Sequence, residues 1–157
     1  MKPNVGDSAP DFKANVIGGE YTEEASVGLS DFAGERVVLV FYPKDNTPGC
    51  TTQGCAMRDD WGKLKGLARV FGVSIDSIKS HQKFIDKQGL PYALLSDESK
   101  EIVEAYGVWV EKQMYGRKYM GTERSTFVIG GDGKIEAILE KVKPAKHLDQ
   151  LLEVLEA

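Results

Sequence analysis

Both cysteines of the chain lie in one short segment, and the setting of the first favours thiol redox chemistry. Cys50 follows a turn-rich loop at residues 43–49 and stands where a helix is predicted to begin. The first N–H groups of a helix have no partner within the helix, and the positive end of the helix dipole lies there. Both features favour the thiolate, which is the reactive form of cysteine. The residue types therefore predict a reactive Cys50 rather than a small buried apolar side chain.

Cys55 follows Cys50 by five residues, a spacing that does not suit a disulfide within an intact helix. Residues five apart on a helix have Cα atoms about 8.6 Å apart and point about 140° away from each other. A disulfide needs Cα atoms within about 7 Å. The two thiols can therefore meet only if a helical turn unwinds, and Gly54, with its poor helix propensity, is predicted to ease that unwinding. The spacing also leaves open a passive Cys55 in the core.

The elements that must position these cysteines follow an alternating order. The pattern predicts an N-terminal hairpin over 11–26 with Gly18 and Gly19 at its turn, strands over 37–42, 69–75 and 92–95, helices over 52–65, 79–88 and 100–106, a hairpin over 125–140 and a last helix from Pro144 to the end. Strands that alternate with helices imply a parallel centre, to which the last hairpin adds antiparallel strands. We expect an α/β, thioredoxin-like fold: a mixed central sheet with helices on both faces and an N-terminal β-hairpin.

Length and composition narrow the classes of protein that fit. The chain has 157 residues, 41% hydrophobic and 28% charged, which is ordinary for one folded domain over residues 1–157. With a net charge of −4 and no basic stripe, we expect no nucleic-acid partner. The sequence shows neither an apolar signal core nor a membrane-length apolar run, so we expect no membrane partner and a cytoplasmic location. Two cysteines in that reducing compartment predict a catalytic, redox-sensing or inert role.

The cysteine segment carries a resemblance to a known family. Residues 43–50, PKDNTPGC, resemble the Pro-x-x-x-Thr-x-x-Cys signature of peroxiredoxins, and the run through Asp59 is similar to the peroxiredoxin Q group, also called bacterioferritin comigratory proteins. Further matches follow in the expected order at 72–74 (GVS), 94–97 (LLSD), 106–108 (YGV) and 124–129 (RSTFVI). The resemblance therefore covers nearly the whole chain.

This resemblance implies a thiol peroxidase that reduces hydrogen peroxide and organic hydroperoxides without a metal or organic cofactor. Cys50 resembles the peroxidatic cysteine, which becomes a sulfenic acid, and Cys55 resembles the resolving cysteine, which forms a disulfide with it. Thr47 resembles the residue whose hydroxyl contacts the peroxide, and Pro43 the proline that shields the site from water. Arg124 resembles the arginine that supports the thiolate. The resemblance also implies a thioredoxin-like reductant and a monomer, although some members are dimers.

One position departs from the family pattern. The residue three after the peroxidatic cysteine is commonly glutamate, and here it is Gln53, which lacks the charge for an ion pair with Arg124. Without the resemblance, Arg124 would be interpreted as half of a surface ion pair with an acid such as Glu123, because exposed pairs are common.

Two other functions remain open beside the thiol peroxidase, and the roles of two groups of residues are also considered. A thioredoxin-type disulfide oxidoreductase is the main alternative, although four residues separate the cysteines where thioredoxins have two. A binding fold with incidental cysteines is a further alternative. A zinc site built from both cysteines, His81 and His147 fits no common ligand spacing. The sequence does not decide whether Trp61, Trp109, Met114 and Tyr115 belong to the core or to an apolar collar around the site.

Overall fold

The fold is known from a computed structural model, which describes residues 2–156. The strands are β1 (Lys13–Gly18), β2 (Tyr21–Gly28), β3 (Val37–Phe41), β4 (Arg69–Ser74), β5 (Ala93–Ser96), β6 (Trp109–Met114), β7 (Arg117–Thr122), β8 (Ser125–Ile129) and β9 (Ile135–Leu139). The helices are α1 (Pro48–Asp59), α2 (Trp61–Leu64), α3 (Ile78–Gln88), α4 (Glu101–Ala105) and α5 (His147–Glu156), and a short 3-10 turn spans Leu29–Phe32.

Seven strands form the central sheet in the order β2-β1-β5-β4-β3-β8-β9. The middle strands β3, β4 and β5 pair in parallel, because helices α1, α2 and α3 return the chain to the same end of the sheet between them. The outer pairings are antiparallel: β1 with β2 and β5 on one side, β8 with β3 and β9 on the other. The predicted N-terminal hairpin and the predicted mixed sheet are both confirmed.

Both faces of the sheet are covered, as the continuous apolar run of β3 requires. Leu39 and Phe41 lie in a core that α4 covers, together with the 3-10 turn. Val38 and Val40 lie in a second core on the other face, which receives side chains from the helices α1, α2, α3 and α5. Because side chains alternate along a strand, one five-residue strand contributes to both cores.

The helix that carries the cysteines starts earlier and ends earlier than the sequence predicts. α1 begins at Pro48, whose ring suits the first helical position, and ends at Asp59. Asp60 leaves the helical conformation, and the short α2 follows as a separate element. The predicted helix over 52–65 is thus two helices, and Cys50 lies inside the first turn of α1.

A hairpin that the sequence pattern does not predict lies between α4 and β8. β6 and β7 form a separate two-stranded sheet joined at Tyr115 and Gly116, both with positive φ. Most of its residues are exposed on both faces, so the period-2 alternation that identifies a half-buried strand is missing. Met114 and Tyr115 are 55% and 97% exposed, so neither is a core residue.

The last helix also differs from its prediction at its start. α5 begins at His147, and Pro144 lies in the turn before it rather than in its first turn. Leu151 and Leu155 are buried on the predicted apolar side, whereas residue 157, the predicted end, lies outside the described residues. Within residues 2–156, every helix is too short or too polar to cross a membrane.

Candidate active site

Cys50 occupies the third position of α1, at the C-terminal end of β3. Thr47 is the N-cap residue, with extended backbone angles, and its carbonyl accepts the N–H of Thr51 at 2.9 Å. The Cys50 side chain belongs to the core beneath the helix, and the residue is only 2% exposed. The predicted position of Cys50 at a helix start is therefore confirmed: the residue lies in the first turn, whose N–H groups have no partner within the helix.

Arg124 reaches Cys50 because of the register between two neighbouring strands. β3 and β8 are antiparallel, and Phe41 is paired with Ser125, so the residue before β8 stands beside the loop that follows β3. Arg124 Nη1 lies 3.5 Å from Cys50 Sγ and donates to it. A Cβ at Gly49 would lie 3.1 Å from Arg124 Nη2, so the glycine gives the guanidinium room to approach. The structure thus brings together two residues that are 74 positions apart in the sequence.

Gln53 holds the same guanidinium from the next turn of α1. Its Oε1 accepts a hydrogen bond from Arg124 Nη1 at 2.5 Å, and the residue is 2% exposed. Glutamine therefore keeps the arginine contact without a second charge. Among the described residues, its Nε2 is buried without a hydrogen-bond partner.

Glu123 does not pair with Arg124, so the surface ion-pair interpretation is wrong. Its carboxylate accepts hydrogen bonds from Lys2 and Ser125 instead. Burial alone would raise the pKa of Glu123, but these hydrogen bonds, with the Lys2 charge, hold that pKa below its usual value. Arg124 is left to interact with the thiol and with Gln53.

Thr47 and Pro43 lie in the loop between β3 and α1, and both are half-buried. The Thr47 hydroxyl donates to the carbonyl of Lys44 at 2.8 Å, which leaves the oxygen lone pairs available. Contact of Thr47 with a peroxide and shielding by Pro43 stay predictions.

Cys55 lies on α1 as well, half-buried and facing α3. Its thiol donates to Oε1 of Gln88 at 3.3 Å, and Arg58 Nη1 donates to the Gln88 carbonyl at 2.6 Å. Both cysteines are free thiols on one unbroken helix. The geometric argument from their spacing therefore applies to this state: the thiols cannot bond while α1 is intact.

Gly54 has a packing role that the sequence does not indicate, and its predicted effect on unwinding stays a prediction. A Cβ at this position would lie 2.9 Å from Tyr92 Oη and 3.6 Å from Leu90 Cδ2. The glycine is therefore required by the close packing of α1 against Tyr92, and substitution by alanine would overpack the reduced state rather than merely stiffen the helix.

Two further residues lie near the site, and the sequence does not indicate that either of them is close to Arg124. Lys112, on β6, is close enough to interact electrostatically with Arg124 and Cys50; burial and the Arg124 charge lower its pKa. His147 is fully buried and shares a 2.7 Å hydrogen bond between its Nε2 and Thr126 Oγ1. Burial, with a smaller contribution from Arg124, lowers the pKa of His147 to about 4. Lys112 was missed because its hairpin was missed.

Comparisons with known proteins show which proteins this chain is similar to. The sequence profile of the AhpC/TSA family matches residues 5–138. The chain is 44% identical over 153 residues to a putative peroxiredoxin bcp of Coxiella burnetii, covering 97% of this chain and 98% of that protein. It is 42% identical to the peroxiredoxin Bcp of Bacillus subtilis, covering 99% and 96% of the two chains.

Solved structures give the same result. A mutant of Xylella fastidiosa PrxQ superposes with a TM-score of 0.87 at 35% identity, covering 99% of this chain and 97% of that one. The bacterioferritin comigratory protein of Xanthomonas campestris, described for alkyl peroxide reduction, superposes with a TM-score of 0.82 at 37% identity, covering 92% and 90%.

Proposed function

This chain belongs to the AhpC/TSA family and is a thiol-dependent peroxidase of the peroxiredoxin Bcp type, and on that premise we propose that Cys50 is the residue that attacks the peroxide. The substrates are hydrogen peroxide and organic hydroperoxides. The product of the first step is a sulfenic acid on Cys50, and Cys55 then forms a disulfide with it.

One observation carries this proposal: Arg124 Nη1 lies 3.5 Å from the sulfur of Cys50 in the first turn of α1. Cleavage of an O–O bond by a thiolate develops negative charge on the leaving oxygen. A guanidinium is always protonated and presents several N–H donors in a fixed plane. A donor fixed by Gln53 before the reaction stabilises that developing charge without reorganising in the transition state.

The first chemical step transfers one oxygen atom from the peroxide to sulfur. The Cys50 thiolate attacks one peroxide oxygen, so that the S–O bond forms as the O–O bond breaks. The second oxygen leaves with the electron pair and takes a proton to become water or an alcohol. Cys50 is oxidised to the sulfenic acid, and the peroxide is reduced by two electrons. Thr47 would contact the bound peroxide, and Pro43 would exclude water from the sulfur.

The second step regenerates the enzyme through Cys55. The Cys55 thiolate attacks the Cys50 sulfur, the S–S bond forms and the sulfenic oxygen leaves as water. α1 must lose its helical conformation around Cys55 for this attack. A thioredoxin-like dithiol then reduces the disulfide by thiol–disulfide exchange and is itself oxidised. We further propose that the enzyme works as a monomer in the cytoplasm, where such dithiols keep cysteines reduced.

Consumption of peroxide by the purified, reduced protein tests the proposal. The protein is mixed with one equivalent of hydrogen peroxide, and the remaining peroxide and free thiols are counted. Two thiols should disappear for each peroxide consumed, with the mass of an intramolecular disulfide. A disulfide oxidoreductase of the thioredoxin type would reduce insulin disulfides rapidly and peroxide slowly. A binding fold with incidental cysteines would do neither, and either result would reject the peroxidase.

A further inference from the structure

The β6–β7 hairpin places a second positively charged side chain beside the reactive sulfur. Lys112 in β6 lies opposite Tyr119 in β7, so the two side chains share one face of the hairpin. Lys112 is half-buried and interacts electrostatically with both Arg124 and Cys50. None of the chemical steps proposed above uses this lysine.

The lysine side chain runs towards the base of the hairpin, where β7 leads into Arg124. Gly121 shares the face that carries Lys112, and a Cβ at this glycine would lie 3.1 Å from Lys112 Cδ and 3.4 Å from Lys112 Cε. The outer half of the lysine therefore lies over Gly121, which comes shortly before Arg124 in the chain. The N–H of Glu123 donates to the carbonyl of Val108 at 2.7 Å, which fixes the base of the hairpin beside the site.

The two cations near the sulfur have no acid to neutralise them. Within residues 2–156, neither Lys112 nor Arg124 forms an ion pair with a carboxylate. Gln53, which holds Arg124, is uncharged, and the carboxylate of Glu123 is bound by Lys2. Burial and the Arg124 charge lower the pKa of Lys112, as expected for an ammonium without an ion-pair partner. An anion bound here would supply that partner.

Exposed apolar side chains adjoin this lysine. Met114 and Tyr119 lie on the same face of the hairpin as Lys112 and are 55% and 43% exposed. Four of the five large apolar side chains that are strongly exposed within residues 2–156 belong to this hairpin. Apolar side chains exposed together mark a binding surface. A ligand with an apolar carbon skeleton and a negative charge matches this combination of side chains.

We propose that Lys112 is a specificity-determining residue, which selects organic hydroperoxides that carry a carboxylate a short distance from the peroxy group. The carboxylate lies towards the lysine ammonium while the peroxy group reacts at Cys50. This inference rests on the proposed function and uses the same oxygen transfer: Cys50 is oxidised, the hydroperoxide is reduced to the alcohol, and the carboxylate is unchanged. The whole chain has a net charge of −4, so the attraction has to come from these local cations.

The test compares two substrates that differ in one charge: cumene hydroperoxide and its para-carboxylate. The rate of the reduced enzyme with each is measured by stopped flow at neutral pH and low salt. The ratio of the two rate constants, carboxylate over neutral, cancels any change in the reactivity of the thiol. Lys112→Met should lower this ratio on the order of 10-fold. Added salt should lower the ratio in wild type, because it screens the attraction.

Matched variants separate a contact at Lys112 from the general charge of the hairpin. Lys118→Met removes the same charge from the opposite face of the hairpin and should keep the wild-type ratio. Lys112→Arg keeps the charge and should keep most of the ratio. Gln53→Glu adds a carboxylate beside Arg124 and should lower the ratio without a change in the hairpin.

Binding without reaction gives a second result. The product of the charged probe, the para-carboxylate of cumyl alcohol, is titrated into Cys50→Ser, and the side-chain NMR resonances of Lys112 are followed. They should shift with this product and stay in place with cumyl alcohol itself. The absence of a shift overturns the proposal even if Lys112→Met does not fold.

The kinetic outcomes also distinguish this inference from the function on which it rests. A ratio that is unchanged in Lys112→Met, or that falls equally in Lys118→Met, overturns the assignment of specificity to Lys112. If reduced wild type reacts with neither probe and not with hydrogen peroxide, the proposed function itself fails. If it reacts with both probes at a ratio that Lys112 does not influence, the peroxidase stands and only the specificity is wrong.

Discussion

The thiol of Cys55 donates a hydrogen bond to the side chain of Gln88, the last residue of α3. The backbone carbonyl of the same residue accepts Arg58 Nη1. Gln88 thus binds α1 at two points, one of them the sulfur that must move to meet Cys50. The resolving step that we propose has to break the Cys55 contact.

Removal of the Gln88 acceptor should speed disulfide formation. Gln88→Met keeps the volume of the side chain and loses the hydrogen bond, which is worth about 0.5–1.5 kcal/mol. If that bond is broken before the transition state, the rate should rise by about 2–13-fold. Rapid acid quenching and mass spectrometry after one equivalent of peroxide measure this rate. Gln82→Met, which removes a half-buried glutamine of α3 that bonds to the exposed Asp86 and not to Cys55, is the control. Equal rates in both variants would contradict a restraint by Gln88.

Replacement of each cysteine should stop the cycle at a different step. Cys50→Ser should not consume peroxide, because a serine hydroxyl is hardly ionised near neutral pH. Cys55→Ser should react with one equivalent of peroxide and then stall as a sulfenic acid, without turnover by thioredoxin. Normal cycling of Cys55→Ser with thioredoxin would show that Cys55 is not the resolving residue.

Cys55→Ser is also the control in a test of whether α1 unwinds on oxidation. Amide hydrogen exchange over residues 51–60 should lose protection in oxidised wild type, because the disulfide needs a melted turn. Oxidised Cys55→Ser cannot form that disulfide and should keep the protection of the reduced protein. Equal protection in reduced and oxidised wild type would reject the unwinding.

Loss of the Arg124 guanidinium should slow the first step. Arg124→Ala removes a fixed donor at 3.5 Å from the sulfur, and the rate with peroxide should fall by about 10²-fold. Arg124→Lys should recover only part of the rate, because a lysine ammonium is a point charge on a flexible side chain and lacks the planar guanidinium that fixes the donor position. Arg69→Ala, which removes a positive charge at the opposite end of the sheet, should react at the wild-type rate. If the stopped-flow rate of Arg124→Ala with peroxide equals that of wild type, Arg124 takes no part in the mechanism.

Alanine at position 54 should destabilise the reduced protein. The new methyl group would lie 2.9 Å from Tyr92 Oη, and such overpacking costs about 1–3 kcal/mol. Tyr92→Phe removes the oxygen that is contacted, so the double variant should regain stability relative to Gly54→Ala. Urea unfolding of the four proteins under reducing conditions gives the coupling energy. If the changes in the free energy of unfolding of the two single variants add up to that of the double variant, the strain of Gly54→Ala does not come from the Tyr92 oxygen.

Stability should fall on acidification because His147 is buried in its neutral form. Its pKa is lowered to about 4 in the folded protein, against about 6.5 when unfolded. The unfolded chain therefore binds more protons between these values, and the contribution to stability is complete above pH 6.5 and lost as the pH falls towards 4. The loss is on the order of 3 kcal/mol. Urea unfolding of His147→Gln between pH 7 and pH 4 should show a smaller decrease than wild type.

Local sequence signals determined most of the elements and the position of Cys50, the thiol that we propose to be reactive. The apolar runs of β3 and β4, the glycine after α3 and the glycine-rich turn between β8 and β9 are signals that lie within a few residues of what they specify. The placement of Cys50 at a helix start follows in the same way, from a strand, a loop with proline and glycine, and a helix that begins there. The β6–β7 hairpin was not predicted from the sequence, because its exposed residues carry no periodic pattern.

Only the tertiary structure decided what surrounds that thiol. The approach of Arg124 depends on the register of β3 with β8, and the restraint on Cys55 depends on α3 packing beside α1. Gly54 also proves to be a packing requirement, because Tyr92, which lies just before β5 and far away in the sequence, packs against α1. These contacts join residues far apart in the chain, where no short-range pattern constrains the partner, so the composition of the site emerges only when the sheet and helices are assembled.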